Sequence, residues 1–132
     1  MPSRLRRADP AEVAAAMTRV AADAADESDL RLLTRHFLAV LEQTQPGKSV
    51  EVRVPPYAAI QCIAGARHTR GTPPAVVETD PLTWVRLAAG LTGWADAVGA
   101  GLVFASGERS DLTSLLPLPG WSAGASADPR RA

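Results

Sequence analysis

The hydrophobic period of this chain changes from that of a helix to that of a strand, and this change limits what the chain can fold into. Between residues 30 and 41 an apolar stripe recurs at intervals of three and four, with charged residues falling elsewhere: Leu30, Leu33, Phe37 and Leu41. After Pro46-Gly47, valine occupies every second position from Val50 to Val54. The first pattern is typical of an amphipathic helix and the second of a half-buried strand. Together they predict an α+β domain in which helices cover one face of a sheet.

Helix starts are marked twice by the dipeptide Asp-Pro. In Asp9-Pro10 and Asp80-Pro81 the aspartate can accept hydrogen bonds from free backbone amides, and proline suits the first helical position. Ser28 is a candidate N-cap for the helix between them. Gly90 is expected to end the helix that Asp80 begins, because glycine readily adopts the left-handed conformation found after helices.

The remaining segments complete a sheet covered by helices. We predict an antiparallel-dominated sheet of about four to five strands covered by helices, with two helices at the N-terminal side. Short helices are expected over residues 92–100 and 112–116. The predicted strands are residues 50–54, 57–63, 75–79 and 102–106.

Length and charge exclude several function classes. The chain has 132 residues, the size of one domain, and 46% of them are hydrophobic, which is enough for one core. Its 14 basic and 14 acidic residues balance. A nucleic-acid-binding protein usually carries a basic field, and electrostatic attachment to anionic lipid needs one as well. We therefore expect neither nucleic acid nor a charged membrane surface as the main partner.

Domain boundaries and compartment follow from local composition. We expect a disordered N-terminus over residues 1–8, a single domain over 9–118, and a disordered tail rich in small residues over 119–132. Cys62 is the single cysteine, which excludes an intramolecular disulfide and fits a cytoplasmic protein. No apolar run reaches the length of about 18 residues that a membrane span needs, so stable membrane insertion is not expected.

Catalytic and metal-binding patterns are weak in this chain. The histidines are His36, in the middle of a predicted helix, and His68, in a basic loop, and no nucleophile elbow accompanies either. Cys62 lies in an apolar strand, where burial would keep its thiol protonated and inert. No metal-ligand spacing or phosphate-binding glycine loop occurs. We predict no catalytic residue, metal or cofactor; if the chain were an enzyme, Cys62, His68 and Arg70 would be its candidates.

Three runs in the C-terminal two thirds of the chain carry a family resemblance. The run Thr79–Gly90 resembles the helix that follows the central strands in the sterol carrier protein family and that ends there at a glycine. The run Trp94–Gly107 is similar to its helix, glycine, strand, glycine signature, and Ser110–Leu118 is similar to its short closing helix. The similarity extends from about residue 50 to residue 118. It is closest to the bacterial, chiefly actinobacterial, members, and it extends to the C-terminal domains of mycothiol-dependent maleylpyruvate isomerase relatives.

The resemblance implies a hydrophobic tunnel between the helices and the sheet. The implied function is a non-catalytic binding or carrier protein for a hydrophobic or amphipathic small molecule, such as a lipid, fatty acyl or polyprenoid compound. Large apolar residues on a helix can equally be simple core packing, so both interpretations stay open here. The candidate lining residues are Ile60, Cys62, Trp84, Leu87, Trp94, Val98, Phe104 and Leu116.

A polar head group has a candidate site in the basic loop. Arg67, His68 and Arg70 could hold a carboxylate or phosphate by charge-assisted hydrogen bonds. The alternative is an exposed hairpin loop with ordinary surface charges.

The second function hypothesis is an interaction or dimerisation module. Domains of the sterol carrier type serve as accessory domains in larger enzymes, so a copy with a collapsed tunnel could accompany an enzyme. A homodimer or a partner enzyme would then be its protein partner.

Overall fold

The structure, a computed structural model, describes residues 5–65, 75–107 and 109–119. Two helices come first, three strands follow, and two further helices precede the last strand. A single 3₁₀ turn, Thr113–Leu115, comes after it. The elements are α1 (Pro10–Ala21), α2 (Glu27–Thr44), β1 (Val50–Val54), β2 (Ala58–Cys62), β3 (Ala75–Thr79), α3 (Pro81–Ala89), α4 (Trp94–Gly99) and β4 (Val103–Ser106).

The four strands form one mixed sheet in the order β2-β1-β3-β4. β1 pairs antiparallel with β2, so that Val52 lies opposite Ile60, and β3 pairs antiparallel with β4. β1 and β3 run parallel, with Val52 beside Val77. The predicted α+β class with a mostly antiparallel sheet and two N-terminal helices is confirmed.

One face of the sheet is covered by helices and the other is open. Val50, Val52 and Val54 are fully buried on the covered face, whereas Glu51 and Arg53, which alternate with them, lie on the open face. α2 and α3 pack over the covered face. The space beneath them is filled by side chains that are less than 2% exposed: Trp84, Phe37, Leu33, Leu38, Leu41, Leu87, Leu112, Leu118, Val50, Val52, Val54 and Val77.

The Asp-Pro helix starts are confirmed. The Asp9 carboxylate accepts hydrogen bonds from the backbone amides of Ala11 and Glu12, at 3.1 and 3.3 Å. Asp80 accepts from the Thr83 amide at 3.0 Å, and Gly90 ends α3 with φ +80°.

The predicted N-cap at Ser28 is wrong, because Asp26 caps α2. The Asp26 carboxylate accepts from the Asp29 amide at 2.9 Å, and the Asp29 carboxylate accepts from the Asp26 amide at 3.1 Å. Two aspartates three residues apart thus close a reciprocal capping box, which satisfies two free amides where Ser28 could satisfy one. Ser28 lies inside the first turn and donates its hydroxyl hydrogen to Asp26.

Among the described residues, no helix combines the length and the hydrophobicity that crossing a bilayer requires.

Candidate functional site

Four of the eight predicted lining residues lie in the core between helices and sheet. Ile60 and Cys62 project from β2 onto the covered face, where they pair with Val52 and Val50 across the ladder. Trp84 and Leu87 belong to α3 and are each 1% exposed. These four residues belong to one buried cluster. The sequence grouped them through the resemblance, and the fold brings them to the same layer.

Trp84 is held in place by a hydrogen bond as well as by packing. Its indole nitrogen donates to the backbone carbonyl of Thr34 on α2 at 3.3 Å, so the polar edge of the ring has a buried partner. The hydroxyl oxygen of Thr34 is itself buried and has no hydrogen-bond partner in the described part of the chain. Trp84 therefore joins α3 to α2 as a structural residue of the core.

Trp94 and Leu116 lie at the margin of this cluster. Both are half-buried and pack against it. Trp94 begins α4, a helix of six residues whose N-cap, Gly93, provides no side-chain hydrogen bond. Ala97 is the one residue of α4 that is buried. α4 is thus attached to the core by much less buried apolar surface than α2 or α3.

Val98 and Phe104 do not join the buried group. Val98 is 41% exposed on α4, and Phe104 is 63% exposed on β4. Phe104 lies opposite Glu78 in the ladder, which puts it on the open face, while its neighbour Val103 faces the core. In a strand of four residues, alternation alone does not tell which of Val103 and Phe104 faces inward, because both are large and apolar.

Two further exposed leucines were missed by the sequence reasoning. Leu91 follows the glycine that ends α3, and Leu102 precedes β4; they are 42% and 49% exposed. With Val98 and Phe104 they are the exposed large hydrophobic residues of the described chain. A signal was present in the sequence, since Leu91 and Leu102 each directly follow a glycine at the end of a helix, where the chain changes direction.

A polar cleft lies at the N-terminal end of α2, and none of the eight predicted residues lines it. Its volume is about 480 Å³, and Tyr57 belongs to the turn between β1 and β2 that faces α2 across it. The phenol of Tyr57 donates to the Glu27 carbonyl at 3.4 Å, and Arg35 donates to the Tyr57 carbonyl at 3.3 Å. The cleft is lined by Asp26, Glu27, Ser28, Arg31 and Tyr57.

The thiol of Cys62 is poorly suited to nucleophilic chemistry. Burial, and secondarily the charge of Glu42, raise the pKa of Cys62 to about 12, so the thiol stays protonated at neutral pH. One oxygen of the Glu42 carboxylate is buried without a hydrogen-bond partner in the described residues. The raised pKa of Cys62 agrees with the inert thiol expected from the sequence.

His36 has a structural partner. Its Nδ1 atom accepts a hydrogen bond from the backbone amide of Ala8 at 2.9 Å, which ties the segment before α1 to α2. Burial, together with the charge of Arg7, lowers the pKa of His36 and keeps the ring neutral. Its ring also packs edge-on against Phe37, with 5.2 Å between centroids.

The predicted head-group residues Arg67, His68 and Arg70 lie outside the described residues. Within residues 5–65, 75–107 and 109–119, no three histidine, cysteine, aspartate or glutamate side chains come together as a metal site.

Comparison with known proteins identifies the family. No curated protein matches the chain. A family described as bacterial SCP ortholog matches residues 26–118, which is more than half of the 132 residues and covers every strand and helices α2 to α4. The chain therefore belongs to the bacterial sterol carrier protein-like family.

Proposed function

We propose that this chain is a non-catalytic binding or carrier protein for a hydrophobic or amphipathic small molecule of the lipid, fatty acyl or polyprenoid type. Membership of a sterol carrier protein-like family supports a carrier role for a hydrophobic molecule. The protonated thiol of Cys62 supports the non-catalytic part of the proposal.

The observation that carries this proposal is the weak attachment of α4. This helix buries Ala97 and lacks a side-chain cap, and it lies in the chain between the buried Leu87 of α3 and the exposed Phe104 of β4. The layer behind it is filled by the protein's own side chains, so a guest must displace something to enter. Displacing α4 costs less buried apolar area than displacing α2 or α3. An acyl chain that took the place of α4 would regain about 25 cal/mol for each Å² of apolar area that it buries, before association costs are subtracted.

In this proposal the ligand contacts apolar side chains on both sides of α4. Trp84 and Leu87 form the floor of the site once α4 moves, and Trp94 and Val98 move with the helix. Ile60, Cys62, Phe104 and Leu116 are the further lining candidates.

The polar head of an amphipathic ligand would be held by the basic loop. Arg67 and Arg70 would donate charge-assisted hydrogen bonds to a carboxylate or phosphate, with His68 as a third donor.

Binding is tested with delipidated protein and cis-parinaric acid, a fluorescent fatty acid. Saturable binding at one site is expected, and Trp94→Ala should weaken it by roughly tenfold, because a large aromatic contact is lost. Tyr57→Ala, in the polar cleft, is the matched control and should bind as the parent does. Native mass spectrometry of protein isolated without delipidation should show a lipid-sized adduct. An empty protein that also fails to bind the probe would contradict the carrier proposal.

The head-group role has its own test. Replacing Arg67 and Arg70 with glutamine should weaken stearate severalfold more than stearyl alcohol, which has the same chain and no charge. Equal effects on both ligands would remove the basic loop from the site.

A second candidate function, an interaction or dimerisation module, is favoured by the filled layer and by the exposed Phe104. A domain whose helix–sheet layer is occupied by its own side chains can still act through its open sheet face. Sedimentation of the purified protein should then give the mass of a dimer, and Phe104→Ser should give a monomer. A monomer at all concentrations would leave a partner enzyme as the remaining form of this alternative.

A further inference from the structure

We propose that two copies of this chain pair through their open sheet faces, around a two-fold axis that runs along the strands between β1 and β3, with Arg53 of each copy against Glu78 of the other. The inference rests on the second candidate function, dimerisation through the open face, and names the surface and the residue pairs by which the copies meet. It is independent of the carrier proposal, because the helices and the candidate lining residues on α3 and α4 lie on the other side of the sheet.

The register of the four strands defines the surface. Ala59, Arg53, Glu78 and Phe104 lie side by side on β2, β1, β3 and β4, because each is paired with the next across the ladder. The residues before and after Arg53 and Glu78 are buried, so this row lies on the open face. The four side chains thus form one row that extends about 14 Å across the sheet.

Two-fold symmetry makes this row complementary to itself. A two-fold axis parallel to the strands keeps each residue at its own height along the strand and reverses the order of the row. When the axis lies midway between β1 and β3, Arg53 therefore faces Glu78 of the other copy, and the pair occurs twice. The same operation places the ring of Phe104 opposite Ala59, the smallest side chain of the row.

Other positions of the axis give poorer matches. An axis on β3 would put Glu78 against Glu78, and an axis on β1 would put Arg53 against Arg53. Like charges that meet across an interface disfavour both arrangements. The charge pattern therefore selects the register in which opposite charges meet.

Arg53 and Glu78 have hydrogen-bonding capacity left for a second copy. The Nε and Nη2 atoms of Arg53 lie 2.9 and 2.7 Å from the Glu51 carboxylate, whereas Nη1 lies 3.9 Å from Glu78, which is beyond hydrogen-bond distance. The Arg53 and Glu78 side chains are 48% and 46% exposed. Nη1 can therefore donate to the carboxylate of the other copy while Nε and Nη2 keep their contact with Glu51.

The spacing of packed sheets suits these pairs. Two sheets that pack face to face lie about 10 Å apart and cross at about 30°. This crossing displaces the residues beside the axis least, and extended arginine and glutamate side chains together span the gap. Four strands of four residues give a face of roughly 260 Å² in outline, which is small for a stable interface. We therefore expect a dimer that dissociates on dilution.

Charge reversal and mixing test the pairing. Sedimentation velocity of the parent protein should show a dimer that gives way to monomer on dilution. Arg53→Glu and Glu78→Arg should each weaken dimerisation roughly tenfold or more, because like charges then meet twice. An equimolar mixture of the two variants should restore the dimer, since each pair across the interface is again of opposite charge. The double variant Arg53→Glu/Glu78→Arg should dimerise by itself for the same reason.

Glu12→Arg is the matched control, because it makes the same charge change as Glu78→Arg at an exposed position of α1, away from the open face. This variant should dimerise as the parent does, and circular dichroism of every variant checks that it is folded. A parent dimer that survives both reversals, or a mixture of folded variants that stays monomeric, would overturn the proposed pairing and leave dimerisation to another surface. A parent that is monomeric at all concentrations would overturn the pairing and the dimerisation module together. Neither result would affect the carrier proposal.

Discussion

Arg19 on α1 donates two hydrogen bonds to the Asp29 carboxylate on α2, at 2.8 and 2.7 Å, and the Asp29 carboxylate also closes the capping box of α2. Among the described residues, Asp29 is the one buried charged residue, at 5% exposure. A buried carboxylate is stable only when paired and hydrogen-bonded, and here both conditions are met. The pair therefore sets how α1 lies on α2.

Asp29→Asn is expected to destabilise the fold at pH 7 and to flatten its acid dependence. The hydrogen bond from Arg19, with help from the Asp26 amide, holds the pKa of Asp29 below its ordinary value. A lowered carboxylate pKa gives stability that is present above the unfolded-state pKa and is lost as pH falls through the folded-state value. Urea unfolding across a pH series should therefore separate parent and variant at pH 7 and bring them progressively together as the pH falls below the ordinary aspartate pKa.

Asp23→Asn is the matched control for this experiment. The Asp23 carboxylate is 87% exposed in its 3.2 Å pair with Arg86, and solvent screens such a pair. Asparagine also tolerates the positive φ of this position, 57°. If Asp23→Asn lowered the free energy of unfolding at pH 7 as much as Asp29→Asn, the burial of Asp29 would not be the cause of its effect.

Acid is expected to release the segment before α1 through His36. Because burial lowers the pKa of His36, the unfolded chain takes up a proton first, and the stability contributed by the neutral ring is lost as pH falls below about 6.5. A protonated ring also cannot accept the hydrogen bond of the Ala8 amide. Hydrogen exchange at Ala8 should therefore speed up in mild acid relative to the amides of α2.

The histidine at position 68 provides the control. His68→Gln should leave the pH profile of the Ala8 amide unchanged, whereas His36→Gln should remove its acid-dependent step. An acid step that survives in His36→Gln would assign the effect to another group.

Two leucines near each other in sequence are expected to differ sharply in their contribution to stability. Leu87→Ala should cost about 2–5 kcal/mol, because it opens a cavity at a residue that is 1% exposed. Leu102→Ala, at 49% exposure, should cost less than about 1 kcal/mol. Denaturant unfolding of both variants measures the difference in the free energy of unfolding. Similar losses for the two variants would contradict the exposed position of Leu102.

Two glycines give opposite expectations for the same substitution. Gly90→Ala should destabilise by about 1–2 kcal/mol, because its φ of +80° strains any residue with a β-carbon and Pro117 lies against it. Gly99→Ala places its β-carbon where nothing lies within 4 Å, at the last position of α4. It should stabilise by a few tenths of a kcal/mol up to about 1 kcal/mol. Thermal unfolding tests both, and an unchanged midpoint for Gly90→Ala would contradict the argument from strain.

Local chemistry made some features predictable from sequence. Asp9 and Asp80 could be identified as caps because capping depends on atoms within three residues. The prediction of Ser28 as N-cap was wrong, because Asp26 caps α2 in a box that Asp29 closes and that Arg19 from another helix reinforces. The domain boundaries at residues 9 and 118 remain predictions, as do the roles of the lining residues.

The sequence by itself determined the α+β class, the helix starts at Asp-Pro, and the two faces of β1, because each depends on periodicity or on contacts between near neighbours. Only the tertiary structure decided that β3 lies parallel to β1, that Trp84 fills the space under the helices, and that Phe104 faces outward. These outcomes depend on which surfaces meet across the chain. Hydrophobicity shows that a side chain favours burial, but only packing decides which of two adjacent apolar residues is buried.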